Sequence, residues 1–371
     1  MAQQGTIPLY PLKLSPMALE KIWGGRELNR LFPQLPQTAG PLGEVWIVWK
    51  GLAIENGPLQ GKVLGDLVQS DPAGILGSHL AGQPQVAFPL LVKLIDAHET
   101  LSVQVHPDDS YAQTREGQPF GKSEAWYVLD AAPGSRIIYG TNRTMTAAGL
   151  KRDLEAGRII EDLQFVPVSA GDVVLLLAGT IHALGEGIVV YELQQSSDLT
   201  YRLYDWNRTP VGGVARELHV DKALDVADLE PKKVQKIQTV SLQEGANQRR
   251  ILCACRYFAA ELLEIAAPSA QRTRGGSFHI LTAIDGSCHL AYGPAHSEQA
   301  PMAAGDTLVV PAGLDRYEIR PQDRPCSIIK AYVPDLLVDV VHPLRARGVP
   351  WEAIVQLGGD PEDSDLMPLA P

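Results

Sequence analysis

Apolar positions in this chain recur with a period of two or run on unbroken, and both patterns predict strands. Phe88-Pro-Leu-Leu-Val-Lys-Leu-Ile-Asp96 is strongly apolar, interrupted by Lys93 and closed by Asp96, which reads as a strand buried on both faces. Leu101-Ser-Val-Gln-Val105 and Thr200-Tyr-Arg-Leu-Tyr204 alternate strictly, so alternate residues share a face. Gly43-Glu-Val-Trp-Ile-Val-Trp49 is a further strand. Helical spacing is rare. It marks a short piece from Val63 to Gln69 and one polar helix from Thr146 to Asp162, with Leu150, Leu154 and Ile159-Ile160 as its stripe. From about 236 to 335 strands dominate again, with Gly and Pro turns between them. The tail, Gly358-Gly-Asp-Pro-Glu-Asp-Ser-Asp, is acidic and carries proline, so its end is expected to be disordered.

The later two thirds contain one unit twice. Gly171-Asp-Val-Val-Leu-Leu-Leu-Ala-Gly-Thr-Ile-His182 parallels Gly305-Asp-Thr-Leu-Val-Val-Pro-Ala-Gly-Leu-Asp-Arg316. Ser123-Glu-Ala-Trp-Tyr-Val-Leu-Asp130 can be laid on Ser277-Phe-His-Ile-Leu-Thr-Ala-Ile284. Gly-Asp turns into a buried strand and Ala-Gly leads out of it, the strand–turn–strand signature of a cupin. The expected fold is mainly β: two cupin-type jelly-roll barrels with a small helical insertion. Residues 7–230 form a metal-binding domain that includes the N-terminal strands, 236–335 a degenerate second barrel, and 336–371 a C-terminal segment. In this alignment Phe278 stands opposite Glu124 and Arg316 opposite His182, so only the first copy keeps metal chemistry.

Composition narrows the classes. The chain has 371 residues, with Lys+Arg 32 against Asp+Glu 43 and a net charge of −11. That balance argues against nucleic acid and against an anionic membrane as partners, though not against a small anion held by a local cationic cluster. The start, Met1-Ala-Gln-Gln-Gly-Thr, lacks the pattern of a signal peptide, and no apolar run approaches a membrane span. Cys253, Cys255, Cys288 and Cys326 read as reduced, buried thiols, and the expected location is the cytoplasm.

Candidate chemistry centres on Leu101-Ser-Val-Gln-Val-His-Pro-Asp-Asp109. Gln104 and His106 lie two residues apart on one strand face. Glu124 in Gly121-Lys-Ser-Glu-Ala-Trp126 and His182 in Gly179-Thr-Ile-His-Ala183 add a carboxylate and a second imidazole. This mixed N/O set suits one zinc or similar divalent ion with a position left open. Arg202 shares a strand face with Thr200 and Tyr204, and reads either as an anion-binding group or as half of a salt bridge to a core carboxylate. Lys93 is either a cavity cation or a lysine that snorkels from its strand. Lys122 shares the face of Glu124 if that strand is regular, or is a solvated turn residue. Asp198 is a proton-transfer group or a turn cap. Ser102 could donate to a phosphate. Trp23, Trp46 and Trp126 read as packing residues.

In this light the chain resembles the type I mannose-6-phosphate isomerases, of the compact bacterial kind. The resemblance rests on Ile22-Trp-Gly-Gly-Arg26, Gly43-Glu-Val-Trp46, Leu91-Val-Lys-Leu-Ile-Asp96, the 101–109 run, Gly121-Lys-Ser-Glu-Ala-Trp-Tyr127, Gly179-Thr-Ile-His-Ala183 and Gln195-Ser-Ser-Asp-Leu-Thr-Tyr-Arg-Leu-Tyr-Asp205. It implies a metal-dependent aldose–ketose isomerase working on mannose 6-phosphate and fructose 6-phosphate through a cis-enediol. It implies zinc on Gln104, His106, Glu124 and His182, with catalytic groups among Arg202, Lys122 and Lys93, to which the residue reading adds Asp198. Ser102, Lys93 and Arg202 are expected to touch substrate. A monomer or weak homo-oligomer is expected. The chain departs from the family at Gly121, where longer members carry histidine, and from many cupins at Leu177, where they carry proline. Two other classes share the barrel: a non-catalytic sugar-binding cupin, which would lack the ligands, and a metal-dependent oxygenase, in which Gln104 would be unusual.

Overall fold

A computed structural model of the protein describes residues 7–82, 87–208 and 216–370. Four antiparallel sheets make up its frame. In the first half, Met17–Gly25, Leu42–Val48, Leu90–Ala97, Ile188–Gln195, Glu124–Ala131 and Val173–Leu176 lie side by side in that order. Facing them is a five-stranded sheet of Tyr201–Tyr204, Val103–Val105, His182–Ala183, Arg136–Thr141 and Leu163–Pro167. Trp23, Ile95, Trp126 and Val190 of one sheet meet Ile137, Tyr139 and Val166 of the other in a buried layer. The second half repeats the plan with a seven-stranded and a four-stranded sheet. Both halves are cupin-type sandwiches, as the sequence predicts.

The two large sheets share a core. Apolar residues on the outer face of the six-stranded sheet, such as Val92, Leu94 and Tyr191, join Leu262, Ile280 and Ile329 of the seven-stranded sheet in one buried cluster. Phe88 and Phe278 pack with ring centroids 4.6 Å apart. The strand Leu12–Lys13 pairs with Thr307–Val310, so the start of the chain is hydrogen-bonded into the second half. No helix among the described residues is long and apolar enough to cross a membrane.

Three sequence expectations need correction. The 146–162 helix is two helices, Ala147–Glu155 and Ile159–Asp162. The break falls at Gly157, whose φ of +71° lies in the left-handed region that favours a residue without a Cβ. The tail is ordered. Ile354, Leu357 and Leu366 are fully buried, Asp363 pairs with Lys232, Glu362 with Lys233 and Asp365 with Arg256. Its acidic composition serves those basic partners. Finally, the repeat aligns one residue differently. Leu176 pairs with Glu124 and its counterpart Val310 with His279, so His279 takes the place of Glu124. Phe278 faces Phe88 instead.

Candidate metal centre and substrate cavity

Cross-strand register assembles the site, because residues directly opposite on one sheet share a face. Arg202 pairs with Gln104, Gln104 with His182 and His182 with Tyr139. These side chains form one row across the five-stranded sheet. On the opposing sheet Trp46 pairs with Lys93, Lys93 with Glu192 and Glu192 with Trp126. Glu124 pairs with Gln194 at the next position of the same face. Between the rows lies a cavity of about 270 Å³ whose lining includes Trp46, Lys93, Gln104, Lys122, Glu192 and Arg202. A larger cavity of about 760 Å³ opens beside His98, Glu186 and Trp206, but none of the candidate ligands borders it.

His106, Glu124 and His182 bring ligand atoms within 4.8 Å of one another. His182 Nε2 lies 3.2 Å from Glu124 Oε1, and His106 Nε2 lies 3.5 Å from Oε2. Each ring is held from behind by a carbonyl. His106 Nδ1 donates to Leu199 O and His182 Nδ1 to Thr180 O, both at 2.8 Å. That bond fixes the tautomer and leaves Nε2 with its lone pair toward Glu124. Burial, aided by the Lys122 ammonium, pulls the His106 imidazole down to about 3, so the ring is neutral and able to ligate. Burial alone would raise the Glu124 carboxyl, but the Lys122 ammonium beside it holds it well below the usual carboxylate range. Gln104 reaches the same point, its carboxamide nitrogen 3.2 Å from His182 Nε2. Turning the amide over presents its oxygen there instead.

These residues fit a divalent ion. Glu124 is fully buried, and neither of its oxygens makes a well-aligned hydrogen bond, a costly arrangement unless a cation faces it. Lys122 Nζ is the nearest one, 2.7 Å from Oε2 and 2.9 Å from His106 Nε2. Two neutral imidazoles, a carboxylate and a carboxamide form the kind of N/O set that zinc and its neighbours take.

The structure brings together the residues singled out from sequence, in different states. Arg202 gives Nε to Ser102 Oγ at 3.1 Å and Nη1 to Glu217 O at 2.9 Å. It has no carboxylate partner among the described residues. Burial, and then repulsion from Arg216, lowers its pKa. Lys93 is not a free cation: Nζ lies 2.9 Å from Glu192 Oε1 and 2.7 Å from Gln194 Oε1. Burial disfavours its charge, but Glu192 and Glu44 outweigh burial and raise its pKa. Asp198 sits exposed in coil on the cavity lining, ahead of the arginine strand rather than in it. Trp23, Trp46 and Trp126 all line the cavity as well.

Sequence reasoning missed Glu192, Glu44, Lys21 and Arg216, which share that lining. Glu192 carried a signal: it is the lone charge in the buried strand Ile188–Gln195, as Lys93 is the lone cation in its own. Two such charges of opposite sign in apolar strands imply a cross-strand pair. Arg216 had none, since it comes from coil and is aimed by Asp205, whose Oδ2 accepts from its Nε at 2.8 Å.

Fold and site together define a cupin-type metal protein with a polar, cation-bearing cavity beside the metal ligands. A family model described as "Phosphomannose isomerase type I, catalytic domain" matches residues 12–131, and mannose-6-phosphate isomerase ManA of Bacillus subtilis is 34% identical over 315 residues, covering 83% of this chain and 95% of the relative. The chain belongs to the type I mannose-6-phosphate isomerases, a metal-dependent enzyme family. The mannose-6-phosphate isomerase of Streptococcus mutans is 33% identical over 313 residues, covering 83% and 94%. The crystal structure of the Bacillus subtilis mannose 6-phosphate isomerase superposes with a TM-score of 0.78 at 31% identity, covering 86% of this chain and 99% of that one.

Proposed function

We propose that this protein interconverts mannose 6-phosphate and fructose 6-phosphate through a cis-enediol, with one zinc ion held by Gln104, His106, Glu124 and His182. The observation that carries the reading is the convergence of two tautomer-fixed imidazoles on a buried carboxylate, next to Gln104 and Lys122 of a cavity lining that also holds a guanidinium with no carboxylate partner among the described residues. One anionic ligand leaves a divalent centre about one unit positive, and when bound the ion supplies Lewis-acid stabilisation of negative charge on the sugar oxygens.

The chain's own residues supply the rest. Arg202 is paired across the sheet with Gln104, so its guanidinium lies where enediolate charge develops. Ser102 fixes its fork. Arg216, beside Arg202, extends the positive wall toward the phosphate. Lys93, tied to Glu192, orders the opposite wall and presents its chain to the substrate, while Lys122 stands between the ligands and the cavity. Among the described lining carboxylates, Glu44 bonds Trp46 and Lys21, and Glu192 bonds Lys93 and Trp126. Asp198 has no such partner, and is the carboxylate free to move a proton between neighbouring carbons. Four buried thiols and no disulfide accord with a cytoplasmic location.

The test is a coupled aldose–ketose assay with metal-free and zinc-loaded protein, run with mannose and with mannose 6-phosphate. The expected result is metal-dependent turnover, a far larger kcat/KM for the phosphorylated sugar, and exchange of one substrate C–H with solvent deuterium. Phosphate binding far from the reacting carbons would then orient the sugar. Equal kcat/KM for the two sugars would reject the phosphate reading, and turnover without exchange the enediol.

A further inference from the structure

Glu124 is aimed by a loop, residues 119–123, and that loop is held by side chains outside the ligand set. Asp109 Oδ1 accepts from Gly121 N at 2.7 Å and from Gln195 Nε2 at 2.9 Å. Gln195 Oε1 in turn accepts from Ser123 N at 2.9 Å, and Gln195 N donates to Ser123 O at 3.1 Å. Asp109, Gly121, Ser123 and Gln195 thus close a ring of hydrogen bonds against the residue next to the ligand. Ser123 Oγ accepts from Ala178 N at 3.1 Å, in the turn that leads to His182. Gly179 N in the same turn donates to His106 O at 2.9 Å. The segments bearing His106, Glu124 and His182 are therefore laced together through Ser123 and its partners.

One detail shows that this lacing is built rather than incidental. Gly121 lies so close to the 107–109 backbone that a Cβ there would stand 2.3 Å from Asp108 C and 2.6 Å from Pro107 O, closer than any side chain tolerates. The glycine that departs from the longer family members lets the loop reach Asp109.

We propose that Asp109 and Gln195 are positioning residues that hold Glu124 and the His182 turn in metal-binding geometry. The proposal rests on the metal reading of the site. Neither residue touches the ion or the sugar; both act through Ser123 and Gly121.

The experiment measures the zinc dissociation constant by chelator competition for the full chain and for Asp109→Ala, Asp109→Asn and Gln195→Leu. Loss of an outer partner typically weakens metal binding about ten- to a hundredfold, and that is expected for Asp109→Ala and Gln195→Leu. Asp109→Asn keeps an accepting Oδ1 and should stay close to the parent. Asp109→Ala combined with Gln195→Leu should lose little more than either alone, because both break one ring. If Asp109→Ala does not fold, Gln195→Leu and Asp109→Asn still decide. Parent-like zinc affinity in Gln195→Leu, or an Asn variant as weak as the Ala variant, overturns the proposal. A parent that binds no divalent ion overturns the metal reading itself.

Discussion

Arg202→Lys and Arg202→Ala separate a transition-state group from a structural one. Arg202 makes two hydrogen bonds, to Ser102 Oγ and to Glu217 O, and stands beside Arg216, which repels it. Bonds of this kind contribute about 0.5–1.5 kcal/mol each to stability, and relief of the repulsion offsets part of that. Truncation should therefore leave the melting temperature and zinc content near those of the parent. Catalysis should respond quite differently. Removing one preorganised donor from a site of developing negative charge costs about 10²–10³ in kcat, about 2.7–4 kcal/mol. Lysine keeps the charge and loses the planar fork. Arg202→Lys should fall near the lower end of that range, and Arg202→Ala at or beyond the upper end.

The assay is kcat and KM at saturating zinc, with metal content and thermal melts on the same preparations. An alanine variant that unfolds or releases its metal would make Arg202 a structural residue. Unchanged kcat with a raised KM would mean that it binds ground state and transition state equally, which points to the phosphate alone.

Chelation should abolish turnover with the fold retained, and reloading should restore it with one ion per chain by elemental analysis; two stoichiometric ions, or activity in demetallated protein, would contradict the site. His182→Ala should lose metal affinity, and Glu124→Gln should weaken it, both read by competition with a chelator. Lys93→Met should destabilise the protein by about 3–5 kcal/mol in urea melts, because it strands the buried Glu192 carboxylate; a loss under 1 kcal/mol would show that the lysine is not paired in solution. The His279 imidazole, pulled by burial from 6.5 down to about 3, favours the folded state only while neutral. Its contribution is complete above pH 6.5 and declines by about 1.4 kcal/mol per pH unit as pH falls from there toward 3. His279→Gln should flatten the stability–pH curve by that slope, and an unchanged slope would refute the assignment.

The strands, and the Gln104–His106 pair within one of them, were legible because they are local. A lone Lys93 in an apolar run and a Gln-x-His on one strand face are properties of a few neighbouring residues. The helix break was visible too, as Gly157, but a single glycine inside a periodic stripe is ordinary. What could not be read is register. The one-residue error between Phe278 and His279 changes which side chain faces the barrel interior, and only the pairing of Val310 with His279 decides it. Acidic composition predicted a disordered tail because composition says nothing of Lys232, Lys233 and Arg256 waiting to pair with it. Arg216 and the Asp109–Gln195 bonds depend on coil geometry and on contacts across 86 positions, which no periodicity encodes.

Once the register is right, the second half explains why only one metal is expected. Glu192 pairs with Lys93 in the first half, and at the matching position Lys330 pairs with Glu261 in the second. Both are buried cross-strand ion pairs, at 2.9 Å and 2.7 Å, with the signs exchanged. The exchange alters the interior beyond the loss of ligands. Where the first half places Glu124, the second places His279, whose Nδ1 is engaged with the Tyr317 hydroxyl at 2.8 Å. Where the first places His182, the second places an exposed Arg316. Around His279 stand Lys330 and Arg249, and Glu261 is their shared carboxylate. Glu261 is engaged by both cations, and Glu244 adds a second carboxylate 4.0 Å from the far side of Arg249, so a divalent ion would meet Lys330 and Arg249 as well as missing donors. Restoring a carboxylate at His279 alone would therefore not create a second metal site; it would add one more partner for Lys330 and Arg249.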